Sequence, residues 1–279
     1  MAAIIVNFCP TGMVPTKEMT SHVPMSASEI IEQVHEAWEI GITVAHLHAR
    51  EDDGRPSSSA EKYSRIFEGV RKHCPDLVVC ASTSGRGGVP FEKRAEVIEL
   101  RPDMCSLTLG SLNFVSEASV NTPDTIFALA NRMKECGVHP ELECFDLGMV
   151  NYGKVLMKKG LADGPRYWNL IFGNVAGFQP SLLQIGAALT EIPAGDCVGL
   201  AGLGRFQLTA NAIAVTQGLG VRVGLEDNIW WDEERTKLAT NRELLERVHD
   251  LIKLQGHTLM AAKTFGEHGF YNAQRFSRI

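Results

Sequence analysis

His46 and His48 stand two residues apart at the end of the run Thr43-Val44-Ala45-His46-Leu47-His48. Side chains two apart on a strand share a face, so both imidazoles would point the same way near the strand's end. Imidazole is the commonest side-chain ligand for zinc and related divalent ions. A carboxylate far downstream completes a set. In Val221-Arg222-Val223-Gly224-Leu225-Glu226-Asp227, a continuous strand would put Arg222, Gly224 and Glu226 on one face, with Glu226 at its C-terminal end. Two histidines and a carboxylate leave coordination positions open, the pattern of a catalytic rather than a structural site. Mixed nitrogen and oxygen ligands without thiolate favour zinc, with manganese or iron as alternatives. The histidine pair alone could equally be one packed and one solvent-facing residue, so the reading depends on the two strands converging.

Further polar residues fall at other strand ends. Asp227 lies within reach of Arg222, and a cation beside it would keep it ionised and oriented, as a general base requires; the plainer reading of the pair is a clamp at the rim. Ser82 is followed by Ser84-Gly85-Arg86-Gly87-Gly88, whose backbone amides could hold an anion or form an ordinary surface turn. Ser106 and Thr108 lie in one strand-like run. Glu143 ends another, flanked by Leu142 and Cys144, and a buried glutamate is costly unless paired or functional. Seven cysteines are scattered singly, with no CxxC. Five of them (Cys9, Cys80, Cys105, Cys144, Cys197) sit in apolar runs, where an inert thiol is the expectation.

The elements that must position these residues follow one rhythm: a β-branched run, a Gly, Pro or polar stretch, then an amphipathic pattern. Runs at 4–8, 43–48, 77–83, 103–109, 139–146, 167–173, 197–202 and 221–227 each precede such a pattern, beginning with the one at 26–41 that Ser26 or Ser28 would cap. Eight units in about 255 residues fit a single (β/α)8 TIM barrel better than an open doubly wound sheet. A dinucleotide-binding open sheet would carry its glycine fingerprint after the first strand, and Cys9-Pro10-Thr11-Gly12-Met13-Val14-Pro15 is not one. In a closed barrel the eighth and second strands both flank the first, so their ends, where barrel active sites collect, can meet on one ion.

With 44% hydrophobic residues, 22% charged and a net charge of −6, composition is that of an ordinary globular domain, with no electrostatic case for nucleic acid or an anionic membrane. The first apolar run is too short, and has the wrong flanks, for a signal peptide or a span. Unpaired thiols point to a cytoplasmic protein.

Six stretches taken together resemble the β-keto acid cleavage enzymes: 46–54 (HLHAREDDG), 82–88 (STSGRGG), 106–114 (SLTLGSLNF), 140–148 (PELECFDLG), 201–207 (AGLGRFQ) and 221–228 (VRVGLEDN). The similarity runs from about residue 4 to 255, and residues 256–279 look divergent. The resemblance implies a TIM barrel, one zinc ion held by His46, His48 and Glu226, and a homotetramer. It also implies a reaction in which a β-keto acid and acetyl-CoA give acetoacetate and a new acyl-CoA. Ser82, Arg222 and Asp227 match the family's catalytic group, Glu143 its motif acid, and Gly85 and Ser106 its substrate contacts. Asp227 is then the expected base at C2, while Glu143 would shuttle a proton or support a zinc-bound histidine. Members acting on aminated substrates carry an acid soon after the Thr-Gly pair of the first loop. Here Met13 and Val14 follow Gly12 and offer no charge, so a neutral aliphatic substituent is expected unless another acid, such as Glu18, reaches in. Arg86 and Arg205 are candidates for gripping CoA. The competing readings are another metal-dependent barrel lyase, aldolase or hydrolase, and a barrel that binds metal or ligand without turnover.

Overall fold

Each β-branched run finds its neighbour as a parallel strand, and the eighth pairs with the first. In the computed structural model, which describes residues 1–275, the barrel strands are β1 (Val6–Phe8), β2 (Val44–Leu47), β3 (Val78–Ala81), β4 (Met104–Thr108), β5 (His139–Cys144), β6 (Tyr167–Phe172), β7 (Cys197–Gly202) and β8 (Gly220–Val223). They close in the order β1 to β8, with Val221 opposite Val6 and Asn7 opposite Val44. The ends of β8 and β2 therefore do flank β1.

The surrounding helices are α1 (Ala27–Ile40), α2 (Ala60–His73), α3 (Phe91–Ala95), α4 (Pro123–Glu135), α5 (Leu147–Lys158), α6 (Leu182–Glu191), α7 (Phe206–Thr216) and α8 (Asn241–Leu254). Their starts are written in local chemistry. Ser26, not Ser28, caps α1: its Oγ accepts from the Glu29 backbone N–H at 3.2 Å, and the Glu29 carboxylate returns a bond to the Ser26 amide. Thr240 and Glu243 repeat this box on α8, and Asp146 caps α5. The third unit lacks a full-length helix: α3 is one short turn that tightens into a 3₁₀ segment, Glu96–Leu100. Among the described residues no helix is long and apolar enough to cross a membrane.

Two apolar cores result. The larger lies between the strands' outer faces and the helices. The smaller fills the N-terminal end of the barrel's interior with Ile5, Val44, Val78, Met104 and Tyr167. Phe265 and Phe270, from the C-terminal segment, stack on each other against this layer. That segment is bolted underneath the barrel. Arg275 pairs with the fully buried Asp103 at 2.5 Å, and the Asn272 backbone N–H donates to the same carboxylate. Its role, opaque in sequence, is to close the barrel's floor.

Two runs contribute shorter barrel strands than the sequence suggests. Ala3–Ile4 leaves the barrel to pair with Thr258–Leu259, so only Val6–Phe8 remain in β1. More consequentially, β8 stops at Val223. Gly224 adopts φ +149°, where an added Cβ would stand 2.1 Å from the Cys9 carbonyl oxygen. Glu226 and Asp227 thus sit in a turn and not, as the alternation of 221–227 implied, on the strand itself.

Candidate active site

At the C-terminal ends of the strands a cavity of about 230 Å³ opens, lined by His46, His48, Ser82, Glu143, Arg222, Glu226 and Asp227. His46 lies in β2 and points inward with Val44; His48 lies just beyond the strand's last residue. The turn after β8 delivers Glu226 to them. Asn241 at the start of α8 holds that turn, accepting from the Leu225 amide at 2.9 Å while donating to the Pro10 carbonyl at 3.0 Å. Gly12 clears the way: at φ +64° it has no side chain, and a Cβ there would lie 2.4 Å from Glu226 Cγ.

His46 Nε2 is 3.2 Å from His48 Nε2 and 3.8 Å from Glu226 Oε1, and His48 Nε2 is 3.2 Å from Glu226 Oε1. An ion with four bonds of about 2.0–2.1 Å in tetrahedral array keeps its ligand atoms about 3.3 Å apart. The second Glu226 oxygen, Oε2, is buried without a hydrogen-bond partner among the described residues. The three side chains therefore fit a divalent cation. A second cluster, His46, Cys80 and Glu141, offers less. Burial pushes the Cys80 thiol well up, and its Sγ and the other nitrogen of His46 are already bonded to Glu141.

Arg222 is the hub of the charge network. Buried to 3% side-chain exposure, it donates through Nε to Asp227 Oδ2 at 2.8 Å, through Nη2 to Glu226 Oε1 at 2.6 Å, and through Nη1 to Glu143 Oε1 at 3.3 Å. Burial pushes Glu226 up, but Arg222 and the two imidazoles outweigh it and hold the carboxylate well below its usual range. For Asp227 the balance goes the other way. Burial raises it and Arg222 only partly offsets this. Such a raised carboxyl is closer to what a base needs. Glu143 is also raised, first by burial and then by Glu141, and it accepts from Thr108 Oγ1 at 2.8 Å. Burial lowers His48. It would lower His46 too, yet Glu141 and Glu226 together raise that residue to about 9.

Other candidates are placed differently. Ser82 lines the cavity, its Oγ accepting from the Ser84 amide at 3.2 Å. Gly85 and Ser106 are not among the lining residues. A Cβ on Gly85 would meet Arg94 at 2.6 Å, and Ser106 Oγ accepts from the Thr83 amide at 3.1 Å. Met13 and Val14 form an apolar wall with Leu112, Phe114, Phe145 and Leu203. Arg50 holds that first loop by donating to the carbonyls of Gly12 and Pro15. Glu18 lines a separate surface groove and not the cavity. Arg86 does line it, lying 3.4 Å above the Phe114 ring and 3.7 Å from Glu117, whereas Arg205 is exposed over Phe206. Glu141 was missed. It is the strongest partner of His46, with Oε2 2.7 Å from Nδ1, and the signal for it was the two-residue spacing to Glu143 in one strand.

Similarity to known proteins follows the same lines. The 3-keto-5-aminohexanoate cleavage enzyme of Fusobacterium nucleatum subsp. nucleatum is 35% identical over 260 residues, covering 93% of this chain and 94% of that protein. The 3-oxoadipate:acetyl-CoA acetyltransferase of Cupriavidus necator is 36% identical over 255 residues, covering 90% and 89%. Among solved structures, apo ObcA superposes with TM-score 0.79 at 20% identity, over 90% of this chain and 66% of that longer one, a likeness of fold. With residues 3–267 matching its sequence pattern, the chain belongs to the beta-keto acid cleavage enzyme family.

Proposed function

We propose that this protein is a divalent-cation enzyme, with zinc the preferred ion, that condenses a β-keto acid with acetyl-CoA to give acetoacetate and a new acyl-CoA. The observation that carries this reading is the adjacency of two centres in one cavity: the His46–His48–Glu226 cluster and the Arg222-held carboxylate of Asp227. A cation held by His46, His48 and Glu226 would supply Lewis-acid polarisation of a substrate's ketone and carboxylate oxygens, acidifying the carbon between them.

The chain's own residues account for the rest. Asp227 takes a proton from C2 of the β-keto acid. The resulting carbanion attacks the acetyl thioester carbon, a C–C bond forms and the CoA thiolate leaves. The thiolate then adds to the original ketone carbon, the bond from that carbon to C2 breaks, and acyl-CoA departs. Asp227 returns its proton to C2, leaving acetoacetate. Arg222 keeps Asp227 aimed throughout, and the Ser82 hydroxyl, on the cavity wall, is suited to orienting the substrate's carboxylate. Glu143, bonded to Arg222 and Thr108, holds the hub in place.

The apolar wall and the exclusion of Glu18 support a neutral aliphatic substituent over an aminated one, since no acid on the first loop faces the cavity. One observation favours a second reading. Arg86 lines the cavity with only a 3.7 Å contact to an acid, so a β-keto diacid could set its distal carboxylate there. The test is incubation with acetyl-CoA and equal amounts of 3-oxopentanoate, 3-oxohexanoate, 3-oxoadipate and 3-keto-5-aminohexanoate, with acyl-CoA products identified by mass. Aliphatic acyl-CoA should dominate and vanish on chelation. A dominant product from 3-oxoadipate establishes the diacid reading, one from the aminated acid refutes both, and turnover indifferent to chelation removes the cation from the scheme.

A further inference from the structure

The two acids of Pro140-Glu141-Leu142-Glu143 both face the barrel's interior, being two residues apart in β5, yet they serve different neighbours. Glu143 reaches Arg222 and Thr108 at the cavity. Glu141 lies one layer deeper at 1% exposure, and both of its oxygens are fully engaged. Oε1 accepts from Asn7 Nδ2 at 2.6 Å and Asn169 Nδ2 at 3.0 Å. Oε2 faces His46 Nδ1 at 2.7 Å and accepts from Cys80 Sγ at 3.3 Å. We infer that Glu141, held by Asn7 and Asn169, is the positioning residue of the cation site: it fixes the proton of His46 on Nδ1 and presents Nε2 to the cation.

Three features support this over a merely structural polar layer. The interior layer beneath is apolar, built from Ile5, Val44, Val78 and Met104, so the barrel does not need a carboxylate there to fill space. Both asparagines leave their Oδ1 buried and without a partner among the described residues. Turning either amide over would set its oxygen against the carboxylate, so each gives up one bond to aim its N–H at Glu141. Finally, an ionised carboxylate accepts and does not donate, so a 2.7 Å contact to Nδ1 leaves one tautomer for a neutral imidazole, with Nε2 as the free lone pair. Carboxylate partners of this kind orient the ring and raise its basicity, and their loss weakens metal affinity by about 10–100-fold.

The inference rests on the proposed function in assuming that a cation binds, and the experiment separates the two. Zinc affinity is measured on metal-stripped protein by chelator competition, alongside thermal melting of the same metal-free samples, for wild type, Glu141→Gln, Asn169→Leu and Glu143→Gln. Glu141→Gln keeps the shape of the side chain but reverses or removes the bond to Nδ1. It should bind zinc at least tenfold more weakly, with a cooperative metal-free melt showing that the comparison is made on folded protein. Asn169→Leu, which leaves Glu141 in place with one donor fewer, should weaken zinc severalfold, and it carries the test if Glu141→Gln does not fold. Glu143→Gln should bind zinc as wild type while losing turnover. Zinc affinity of Glu141→Gln within twofold of wild type overturns the inference, as does an unchanged affinity in Asn169→Leu when the other variant is unfolded. Wild-type protein that binds no zinc overturns the cation reading itself, an outcome distinct from either.

Discussion

Replacing Arg222 with lysine keeps the buried positive charge but removes the fork. Arg222 reaches Asp227 with Nε and Nη2 at 2.8 and 3.3 Å, Glu226 at 2.6 Å and Glu143 at 3.3 Å. One ammonium on a flexible stem cannot hold three carboxylates in a fixed geometry. Each charge-assisted bond is worth about 1.5–3 kcal/mol, and a cation at Glu226 would take over that arm. What is lost is the two-point hold on Asp227, about 3 kcal/mol, and at about 1.4 kcal/mol per factor of ten this is a fall of about 150-fold. Because aiming a base matters in the transition state more than in substrate binding, the fall should appear in kcat with KM little moved. The assay is steady-state acyl-CoA formation by Arg222→Lys, with cation content measured on the same sample. A fully loaded variant whose kcat stays within fivefold of wild type would refute the claim that Arg222 acts by aiming Asp227. Arg222→Met is the harsher change. It strands buried carboxylates, costs about 3–5 kcal/mol of stability, and is a control for charge rather than for geometry.

Three further outcomes follow from other parts of the fold. Asp103→Asn breaks the fully buried pair with Arg275 beneath the barrel. A loss of about 3–5 kcal/mol, at about 2–4 °C per kcal/mol for a chain of this size, should lower Tm by about 6–20 °C without changing activity per folded molecule at 25 °C. A Tm within 2 °C of wild type in calorimetry would mean that the C-terminal segment does not lock the floor. Gly12→Ala should weaken the cation by tenfold or more in chelator competition, since its Cβ would drive Glu226 aside and its φ of +64° is unfavourable for alanine; unchanged affinity would show that Glu226 is not a ligand. Finally, Glu29 in the α1 cap is half-buried. Burial opposes but does not outweigh its bonds to Lys17 and the Ser26 and Met25 amides, which hold the carboxyl at about 2 against the usual 4.5. A carboxyl depressed on folding stabilises above its unfolded value and loses that contribution as pH falls towards the folded one. With solvent screening, the gain is about 1 kcal/mol or less. Glu29→Gln should therefore melt below wild type at pH 6, with the gap narrowing towards pH 3. A gap constant across that range would contradict the linkage.

What was legible in the sequence was whatever one element carries by itself. The His46–His48 spacing, a serine cap for the helix that starts near residue 26, and the repeated strand–helix rhythm are local patterns, and each survives in the structure. Glu226 was found for a reason that was only partly right. Its turn, not strand alternation, carries it to the histidines, because the chain leaves the strand at Gly224, where the backbone lies so close to the Cys9 carbonyl that no Cβ fits. Reading one face of a strand past a glycine fails when that glycine takes a backbone conformation closed to other residues.

What stayed hidden was pairing across the barrel. Glu141 lies 95 residues from His46, and Arg275 lies 172 from Asp103. No local periodicity reports such contacts, and attention to the strand's end favoured Glu143 over the acid one layer below. Loop and clamp of the first βα connection are likewise apart in sequence, Gly12 and Arg50 by 38 residues. Met13 and Val14 set the cavity wall only because Arg50, after β2, holds the carbonyls of Gly12 and Pro15. An acid placed on that loop would therefore face the cavity at a fixed position. Val14→Glu tests the point directly. If the loop is held as described, the variant should gain turnover of 3-keto-5-aminohexanoate relative to 3-oxohexanoate by tenfold or more. Adding Arg50→Ala to it should erase the gain while leaving the introduced carboxylate in place. A ratio that does not move with Val14→Glu would mean that this wall does not choose the substituent.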